Sequence, residues 1–190
     1  MESAEQFSVW CRQIKASDRK AFEDVFKATH DALVRYSLTF TRSTAASLDI
    51  IQDVFTKLWE VRHTLDPDRS LKALLYRMVR NLAFNHHRDT KSREAKHGAM
   101  SDYASSEVVR PDQVVGSDML ETMLHRWIDE LPERQREALS LSRFDGLSHD
   151  EIAALMEISP RTVNNHLVKA LKHIRDRIRA YEPNLLSHEG

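Results

Sequence analysis

The sequence contains few of the residues that interrupt or cross-link a protein chain. Its 190 residues include only 4 glycines, 5 prolines and 1 cysteine. This scarcity of helix breakers, together with many Ala, Leu, Arg and Glu residues, favours helix nearly throughout. The single Cys11 excludes an internal disulfide framework and is typical of a reducing compartment. We therefore predict an all-helical protein without disulfide bonds.

The chain also lacks the apolar segments that direct proteins into or across membranes. No uninterrupted apolar run approaches the roughly 18 residues that a membrane span needs. The first residues, MESAEQFSVW, have no basic start followed by an apolar core, so they do not resemble a signal peptide. We therefore expect a cytoplasmic protein.

Positive charge is concentrated in two segments. Residues 69–93 carry seven Lys/Arg against one acid, a local net charge of +6, and residues 158–181 carry six against one, a net charge of +5. Between them, residues 94–125 carry six acids and two bases. Two basic patches favour a polyanion that is bound at two places. The alternative, two ordinary solvated helix faces, is weaker because both patches lie on amphipathic helices.

Hydrophobic periodicity predicts three helices in the first half of the chain. One covers residues 18–42 with Ser17 or Asp18 as its N-cap, a second follows a break at residues 43–47, and a third begins after Ser70. The apolar faces of the second and third helices comprise Leu48, Ile51, Val54, Phe55 and Leu58, and Leu71, Leu74, Leu75, Met78, Val79 and Leu82.

The periodicity stops over residues 94–117, which are small, polar and acidic and indicate a flexible linker. It resumes over residues 118–181, and residues 182–190 have the composition of a loose tail. We therefore predict two small helical domains, 1–93 and 118–181, joined by a flexible linker.

Residues 146–166, GLSHDEIAALMEISPRTVNNH, have the pattern of two short helices joined by a tight turn. Ser148 and Glu151 have the spacing of a capping box, and Ser159 precedes a proline at a second helix start. The turn carries Glu157 where such motifs usually have glycine, so this residue is predicted to be left-handed at some cost. We interpret the segment as a DNA-binding helix-turn-helix, with an ordinary helical hairpin as the alternative.

The second helix of this motif has a polar face that suits DNA, opposite a predicted buried stripe of Val163, Leu167, Ala170, Leu171 and Ile174. Arginine and asparagine make bidentate contacts with guanine and adenine edges. Lysines and arginines nearer the end of the helix suit phosphates: Lys169, Lys172, Arg175 and Arg179. The candidate base-reading residues are Ser159, Arg161, Thr162, Asn164, Asn165, His166 and Lys169.

Three motifs in this order resemble the extracytoplasmic-function (ECF) sigma factors of bacterial RNA polymerase. DIIQDVFTKLWE at 49–60 and SLKALLYRMVRNLAFNHHR at 70–88 are similar to their first domain, sigma region 2. LPERQREALSLSRFDGLSHDEIAALMEISPRTVNNHLVKALKHIR at 131–175 is similar to their second domain, sigma region 4. The resemblance covers residues 18–179, and its second domain is most similar to the iron-citrate and Bacteroidetes-like type.

The resemblance implies one protein surface and two DNA surfaces. Region 2 would dock on the β′ clamp helices of core RNA polymerase, with the β flap as a further contact of the chain. The loop 62–69 would hold a base flipped from the melted minus-ten element. Region 4 would read the minus-thirty-five element, and the linker would thread towards the polymerase active-site cleft.

The site residues that the resemblance implies fall into two further sets. The polymerase-binding set is Asp49, Gln52, Asp53, Lys57 and Trp59. The minus-ten set is Arg62, Arg69, Tyr76, Arg77, Arg80, Asn81, Phe84, Asn85 and Arg88, of which the last seven are predicted to point away from the apolar stripe. Each of two aromatic residues has an alternative that remains open. Trp59 could instead belong to the core, and Phe84 could instead pack on the first predicted helix.

No signature of an enzyme is present, since the chain has no Gly-rich phosphate loop, nucleophile elbow or paired carboxylates. His86 and His87 do not indicate a metal site, because adjacent helix positions point about 100° apart. We expect no metal, no cofactor and no stable homo-oligomer.

The expected partners are core RNA polymerase, promoter DNA and an anti-sigma factor or other regulatory partner, with nucleoid association when the chain is active. A stand-alone helix-turn-helix regulator is the rival interpretation, but it leaves the helix at 49–60 unexplained. An anti-sigma or adaptor module would not need two basic patches.

Overall fold

A computed structural model describes residues 2–97 and 119–181, with side chains described over 2–86 and 122–181. All regular structure in these residues is helical. The chain divides into two units, Met1–Val108 and Val109–Gly190. The predicted all-α architecture of two small domains is therefore confirmed. The predicted linker lies outside the described residues except at 94–97, which continue a helix, and the predicted tail lies wholly outside them.

The first unit is built from α1 (Ala4–Lys15), α2 (Arg19–Thr41), α3 (Thr44–Glu60), a 3₁₀ turn (Arg62–Thr64) and α4 (Leu71–His97). Asp18 is the N-cap of α2, since its Oδ1 accepts hydrogen bonds from two backbone N–H groups at 2.8 and 3.1 Å. Ser70 Oγ accepts from the backbone N–H of Ala73 at 3.2 Å. Both predicted helix starts are thus confirmed by the side-chain hydrogen bond that defines an N-cap.

The break between α2 and α3 is shorter than predicted. It consists of Arg42, which has a left-handed conformation with φ 53°, and Ser43, the N-cap of α3. Helix α3 therefore begins at Thr44, within the segment predicted as a break. A left-handed residue followed by a capping serine reverses the chain in the space of two positions.

Helix α1 is absent from the helices predicted by periodicity. It is amphipathic nevertheless, with Phe7, Trp10, Cys11 and Ile14 buried at i, i+3, i+4 and i+7. A helix of 12 residues is marginal in isolation, so packing against the rest of the unit stabilises it. Burying each such apolar side chain contributes about 1.5–3 kcal/mol.

The core of the first unit lies where α4 packs against α1, α2 and α3. Fully buried side chains meet there from α2, α3 and α4, namely Val25, Leu33, Val54, Leu58, Leu75 and Val79. The buried face of α4 is rotated from the predicted stripe, because Tyr76 and Ala83 are fully buried. Three members of that stripe are only half-buried: Leu74, Met78 and Leu82. Contact with three helices demands a broader buried face than one apolar stripe supplies.

The second unit is built from α5 (Met119–Asp129), α6 (Glu133–Arg143), α7 (His149–Met156) and α8 (Pro160–Tyr181). Helix α8 packs against α5, α6 and α7. Its core includes Trp127, Leu141, Ile152, Val163 and Ala170, all buried. At the surface, the Arg177 guanidinium of α8 forms an ion pair with Glu130, the residue that follows α5.

Two leucines predicted to be buried lie instead at the edges of their helix faces. Leu48 is 44% exposed, and Ile50 is buried in the same helix. Leu171 is 37% exposed, and the buried stripe of α8 is limited to Val163, Leu167, Ala170 and Ile174. These two predictions are wrong because periodicity gives the direction of a face but not its width.

The thiol of Cys11 provides a test of how α1 is packed. Cys11 is 1% exposed. Burial, followed by the Asp66 carboxylate, raises the pKa of this thiol above its usual value, which disfavours the reactive thiolate. We expect a disulfide reagent to label native protein at least about a hundredfold more slowly than urea-unfolded protein. The measurement is the absorbance of the thiol that the reagent releases when it reacts with Cys11, at mildly alkaline pH.

The control is a Cys11→Ser, Ala4→Cys double variant, which places a thiol at an exposed position of the same helix. Its native form should react at the rate of a free thiol. Equally fast labelling of the parent chain would show that α1 is not packed as described.

Candidate nucleic-acid interface

The polymerase-binding candidates, apart from Trp59, lie on the solvent side of α3. The exposed members are Asp49, Gln52, Asp53 and Lys57. Their i, i+3, i+4 and i+8 spacing places them along one face of the helix. Val54 and Leu58 on the opposite face are fully buried, which fixes the rotation of α3.

Trp59 is half-buried, so it is both a core residue and an accessible one, the two alternatives proposed for it. Its ring makes an edge contact with Phe22, at 5.1 Å between centroids, and the Arg62 guanidinium lies 4.5 Å from its centroid. The ring also lines a groove of about 740 Å³ between α2 and α3, together with Phe26 and Leu48. Trp59 thus packs against the core and remains accessible from the groove.

The exposed face of α4 carries four of the minus-ten candidates: Arg77, Asn81, Phe84 and Asn85. Their i, i+4, i+7 and i+8 spacing forms one stripe of cationic, amide and aromatic groups. Phe84 is 39% exposed, and its ring lies 5.2 Å from that of Phe40 on α2. Packing on the first predicted helix therefore coexists with exposure that allows a base to stack.

The expectation that Tyr76 and Arg80 point away from the core is wrong. Tyr76 is fully buried, and its ring lies 5.1 Å from that of Tyr36. Arg80 is 7% exposed, and its guanidinium lies 4.6 Å from the Phe84 centroid. Both residues fall within the broad face that α4 buries, so they support the exposed stripe from beneath. The side chain of Arg88, the last candidate, lies outside the described residues.

Arg62, the first minus-ten candidate, is bound to the protein itself. Its Nε donates a hydrogen bond to Ser17 Oγ at 2.9 Å, and its Nη1 donates to the backbone carbonyl of Trp59 at 2.6 Å. Together with the cation-π contact to Trp59, these bonds fix the guanidinium between α1 and α3.

The turn that follows is organised by Asp66. The Asp66 Oδ1 accepts a hydrogen bond from the backbone N–H of Asp68 at 3.1 Å, and its backbone carbonyl accepts from that of Arg69 at 3.1 Å. Arg69, another candidate, is exposed, and its Nε lies 3.3 Å from Asp66 Oδ2. Local bonds of this kind hold a turn in one shape.

A second groove, of about 460 Å³, brings two candidate sets together. It lies between α3 and α4 and is lined by Asp53 and Lys57 from the polymerase-binding set and by Asn81 from the minus-ten set. Residues more than twenty positions apart in the sequence therefore share one surface.

The helix-turn-helix has the capping interactions predicted from its sequence. Ser148 Oγ accepts from the backbone N–H of Glu151 at 3.3 Å, and the backbone N–H of Ser148 donates to Glu151 Oε2 at 2.7 Å. Ser159 Oγ accepts from the backbone N–H of Thr162 at 3.1 Å. Ala153 of α7 is buried, and Glu157 has the predicted left-handed conformation, with φ 58° and ψ 45°.

Most of the base-reading candidates are exposed, either on α8 or at the cap before it. Ser159 is the exposed cap residue, and the exposed members on α8 are Arg161, Asn164, Asn165 and Lys169. Thr162 and His166 are half-buried, and the hydroxyl oxygens of Thr162 and Ser159 are 2.8 Å apart within the cap. The phosphate candidates Lys172, Arg175 and Arg179 are also exposed.

Val168 is a member of this face that the sequence analysis missed. It is 56% exposed and lies four positions after Asn164 and three after Asn165. An apolar side chain there suits the methyl group of thymine. The signal was present in the sequence, because position 168 falls outside the stripe that includes Leu167 and Ala170.

The geometry defines a two-unit helical protein with an exposed polar helix face in each unit, one of them in a helix-turn-helix. Residues 25–93 match the family model described as Sigma-70 region 2, and residues 121–174 match the model of Sigma-70, region 4. The two matches coincide with the two units that carry the candidate sets.

Curated relatives are similar over most of the chain. The RNA polymerase sigma-H factor of Pseudomonas aeruginosa is 25% identical over 183 residues, which cover 92% of this chain and 94% of that protein. The ECF RNA polymerase sigma-E factor of Escherichia coli K12 is 30% identical over 139 residues, which cover 68% of this chain and 72% of that protein. The chain belongs to the ECF family of RNA polymerase sigma factors. The iron-citrate subtype stays a prediction.

Two solved structures share the fold. One is sigma factor RpoE in complex with the anti-sigma factor NepR from Bartonella quintana, with a TM-score of 0.67 and 20% identity, covering 84% of this chain and 98% of that one. The other is CnrH in complex with the cytosolic domain of CnrY, with a TM-score of 0.62 and 19% identity, covering 92% and 98%.

Two features of the described residues bear on other functions. Among the side chains that the structure describes, at residues 2–86 and 122–181, no group of three or more His, Cys, Asp or Glu residues could hold a metal ion. Within residues 2–97 and 119–181, no helix has the length and apolar character to cross a membrane.

The left-handed conformation of Glu157 gives a stability prediction. A non-glycine residue pays about 1–2 kcal/mol for this conformation. Glu157→Gly removes that cost, and the higher entropy of glycine in the unfolded chain offsets part of the gain. The free energy of opening α7 and α8 should therefore rise by about 0.5–1 kcal/mol. The measurement is amide hydrogen exchange of α7 and α8 in the full chain.

Glu157→Ala is the matched control, because it also removes the exposed carboxylate but keeps Cβ. At every amide of this motif, the Ala variant should exchange at least as fast as the Gly variant. If the Ala variant were the more protected of the two, the left-handed turn would be refuted.

Proposed function

We propose that this chain is the promoter-recognition subunit of a bacterial RNA polymerase and that each unit has its own target. Region 2 within residues 1–93 binds core polymerase and captures the melted minus-ten element. Region 4 within residues 118–181 reads the minus-thirty-five element, with residues 94–117 as the connecting linker and 182–190 as a tail. The chain acts in the cytoplasm and supplies recognition, while the polymerase supplies catalysis.

The observation that carries this proposal is the pairing of two sigma-family regions, each with an exposed polar face, in one chain. Duplex recognition alone needs only the helix-turn-helix. The stripe on α4, with Arg77, two asparagines and Phe84, adds a surface of the kind that binds single strands, by phosphate pairing and base stacking.

The exposed face of α3 is the proposed docking surface for the β′ clamp helices. Asp49 and Asp53 supply charge for steering and register, and Trp59 supplies an aromatic group at the rim of the adjoining groove. The β flap is a second proposed contact of the chain on core polymerase.

The minus-ten surface combines the stripe on α4 with the turn before it. Arg77 is suited to pair with phosphates, Asn81 and Asn85 to bond base edges, and Phe84 to stack on a base. The segment 62–69 is the proposed holder of a flipped base, since its local hydrogen bonds give it a fixed shape before DNA arrives.

The minus-thirty-five surface is the exposed face of α8. Arg161, Asn164 and Asn165 are the proposed base readers, because their side chains form bidentate contacts with purine edges. Lys169 and Lys172 lie further along the helix, where they suit phosphates. The structures of RpoE with NepR and CnrH with CnrY support the proposal that a protein partner also regulates this chain.

The experiment that tests the proposal is transcription by the purified chain with bacterial core polymerase on fragmented genomic DNA from its source. Discrete transcript starts that share two upstream motifs are the expected result, and they supply the promoter sequence. If the chain neither directs starts nor binds core polymerase, yet binds duplex DNA tightly by itself, it is a stand-alone regulator and the proposal fails.

Reversing one charge on α3 should separate polymerase binding from DNA reading. We expect Asp53→Arg to weaken binding to core polymerase by at least about tenfold, because charge complementarity at the interface is lost. The measurement is fluorescence anisotropy of labelled chain against core polymerase. Asp31→Arg, the same reversal at an exposed site of α2, is the control and should bind normally. Equal affinities for the two variants would contradict the docking assignment.

Truncating base-reading residues on α8 should relax promoter choice without loss of polymerase binding. We expect Arg161→Ala or Asn165→Ala to reduce discrimination between the minus-thirty-five motif and its single-base variants by about tenfold, the value of one bidentate contact. Lys172→Ala is the contrasting variant, since loss of a phosphate contact should weaken all promoters equally. Discrimination that stays at the parent level in the Arg161 and Asn165 variants would remove these residues from the reading face.

A further inference from the structure

Helix α1 is joined to the segment between α3 and α4 by three hydrogen bonds that involve side chains. This segment, residues 61–70, is here called the α3–α4 loop. Ser8 Oγ donates to the Pro67 carbonyl at 3.1 Å, and Lys15 Nζ donates to the Leu65 carbonyl at 2.8 Å. The Arg62 Nε donates to Ser17 Oγ, just beyond the end of α1, at 2.9 Å.

These bonds divide the α3–α4 loop into a bound side and a free side. Two backbone carbonyls are bound by α1, and the Leu65 side chain is buried. The polar side chains of His63, Asp68 and Arg69 remain exposed. A loop held by its backbone presents its side chains in one arrangement, and this lowers the ordering cost of binding.

The residues that donate from α1 are separate from those that pack it. Ser8 and Lys15 belong to the polar side of the helix, whereas Phe7, Trp10 and Ile14 form its buried stripe. The hydrogen bonds can therefore be removed one at a time while the apolar packing of α1 is kept. Helix α1 also precedes the Sigma-70 region 2 match, which begins at residue 25.

We infer that α1 is a positioning element for base capture, with Lys15 and Ser8 as positioning residues that act through the backbone of the α3–α4 loop. The inference rests on the proposed function of this loop in the minus-ten interaction. Without the bonds from α1, the loop samples more conformations and loses its selectivity for the flipped base. Core polymerase binding, which belongs to α3, is unaffected.

The first test needs no DNA. Amide hydrogen exchange is measured for Lys15→Met, for Ser8→Ala and for Lys15→Arg, which keeps a donor at the same position. Arg12→Met, which removes a positive charge from the exposed side of α1, is the matched control. We expect Lys15→Met to accelerate exchange of the bonded amides of Leu65 and Arg69 by about tenfold, while α2, α3 and α4 keep their protection.

In Lys15→Arg and Arg12→Met, the amides of Leu65 and Arg69 should exchange at the parent rate. Unchanged exchange of the α3–α4 loop in Lys15→Met would overturn the positioning role. Acceleration spread over the whole unit would overturn it as well, because that result describes loss of packing.

The second test uses the strongest promoter from the genomic transcription experiment. Each minus-ten position of the non-template strand is replaced in turn by an abasic site, and the ratio of transcription from intact and abasic promoters is measured. The parent chain should show one position with a large ratio. In Lys15→Met this ratio should fall by about tenfold with core affinity preserved, and Lys15→Arg should restore it.

The two possible failures have different signatures. If the parent chain shows no abasic-sensitive position, the proposed function of the loop is wrong, and hydrogen exchange still decides whether α1 positions it. If the parent is sensitive and Lys15→Met has the same ratio, the inference about α1 fails while the proposed function stands.

Discussion

The first unit depends on the burial of one broad face of α4 against three other helices. Leu75, Val79 and Ala83 are fully buried in that contact, and the rotation of α4 about its axis is thereby fixed. The opposite face, with Arg77, Asn81 and Phe84, is presented to solvent as a consequence. Arg80 lies at the boundary, where burial places its guanidinium against the Phe84 ring. The geometry of the stripe proposed to bind DNA is thus a result of core packing.

The second unit follows the same logic with a smaller core. The buried stripe of α8 includes Val163, Leu167 and Ala170, and it turns Arg161 and Asn165 outwards. The left-handed Glu157 and the Ser159 cap set the direction in which α8 begins. The turn is locally strained at Glu157, and this conformation fixes the angle between α7 and α8. In both units, the residues proposed to contact DNA are carried on rigid helices, and the packing of the apolar side fixes the orientation of each helix.

Short-range features of this protein could be predicted from sequence with good accuracy. The N-caps at Asp18, Ser70 and Ser148 depend on side chains and backbone groups within three residues of one another, so the local sequence contains the whole interaction. The left-handed Glu157 follows from the same kind of reasoning. The break before α3 was predicted too long, because a two-residue reversal at Arg42 and Ser43 leaves almost no trace in hydrophobic periodicity.

The helical class, the two units and the caps could be predicted from sequence, because composition, periodicity and cap spacing are local properties of the chain, and the resemblance of three motifs predicted the family. Tertiary structure alone decided that Tyr76 and Arg80 are buried and that Phe84 is both packed and exposed. It also decided that Lys15 binds the Leu65 carbonyl, a contact across 50 positions of sequence. Such contacts arise from the way three or four helices pack together. The apolar stripe of one helix does not indicate how wide its buried face is or which helix packs against it.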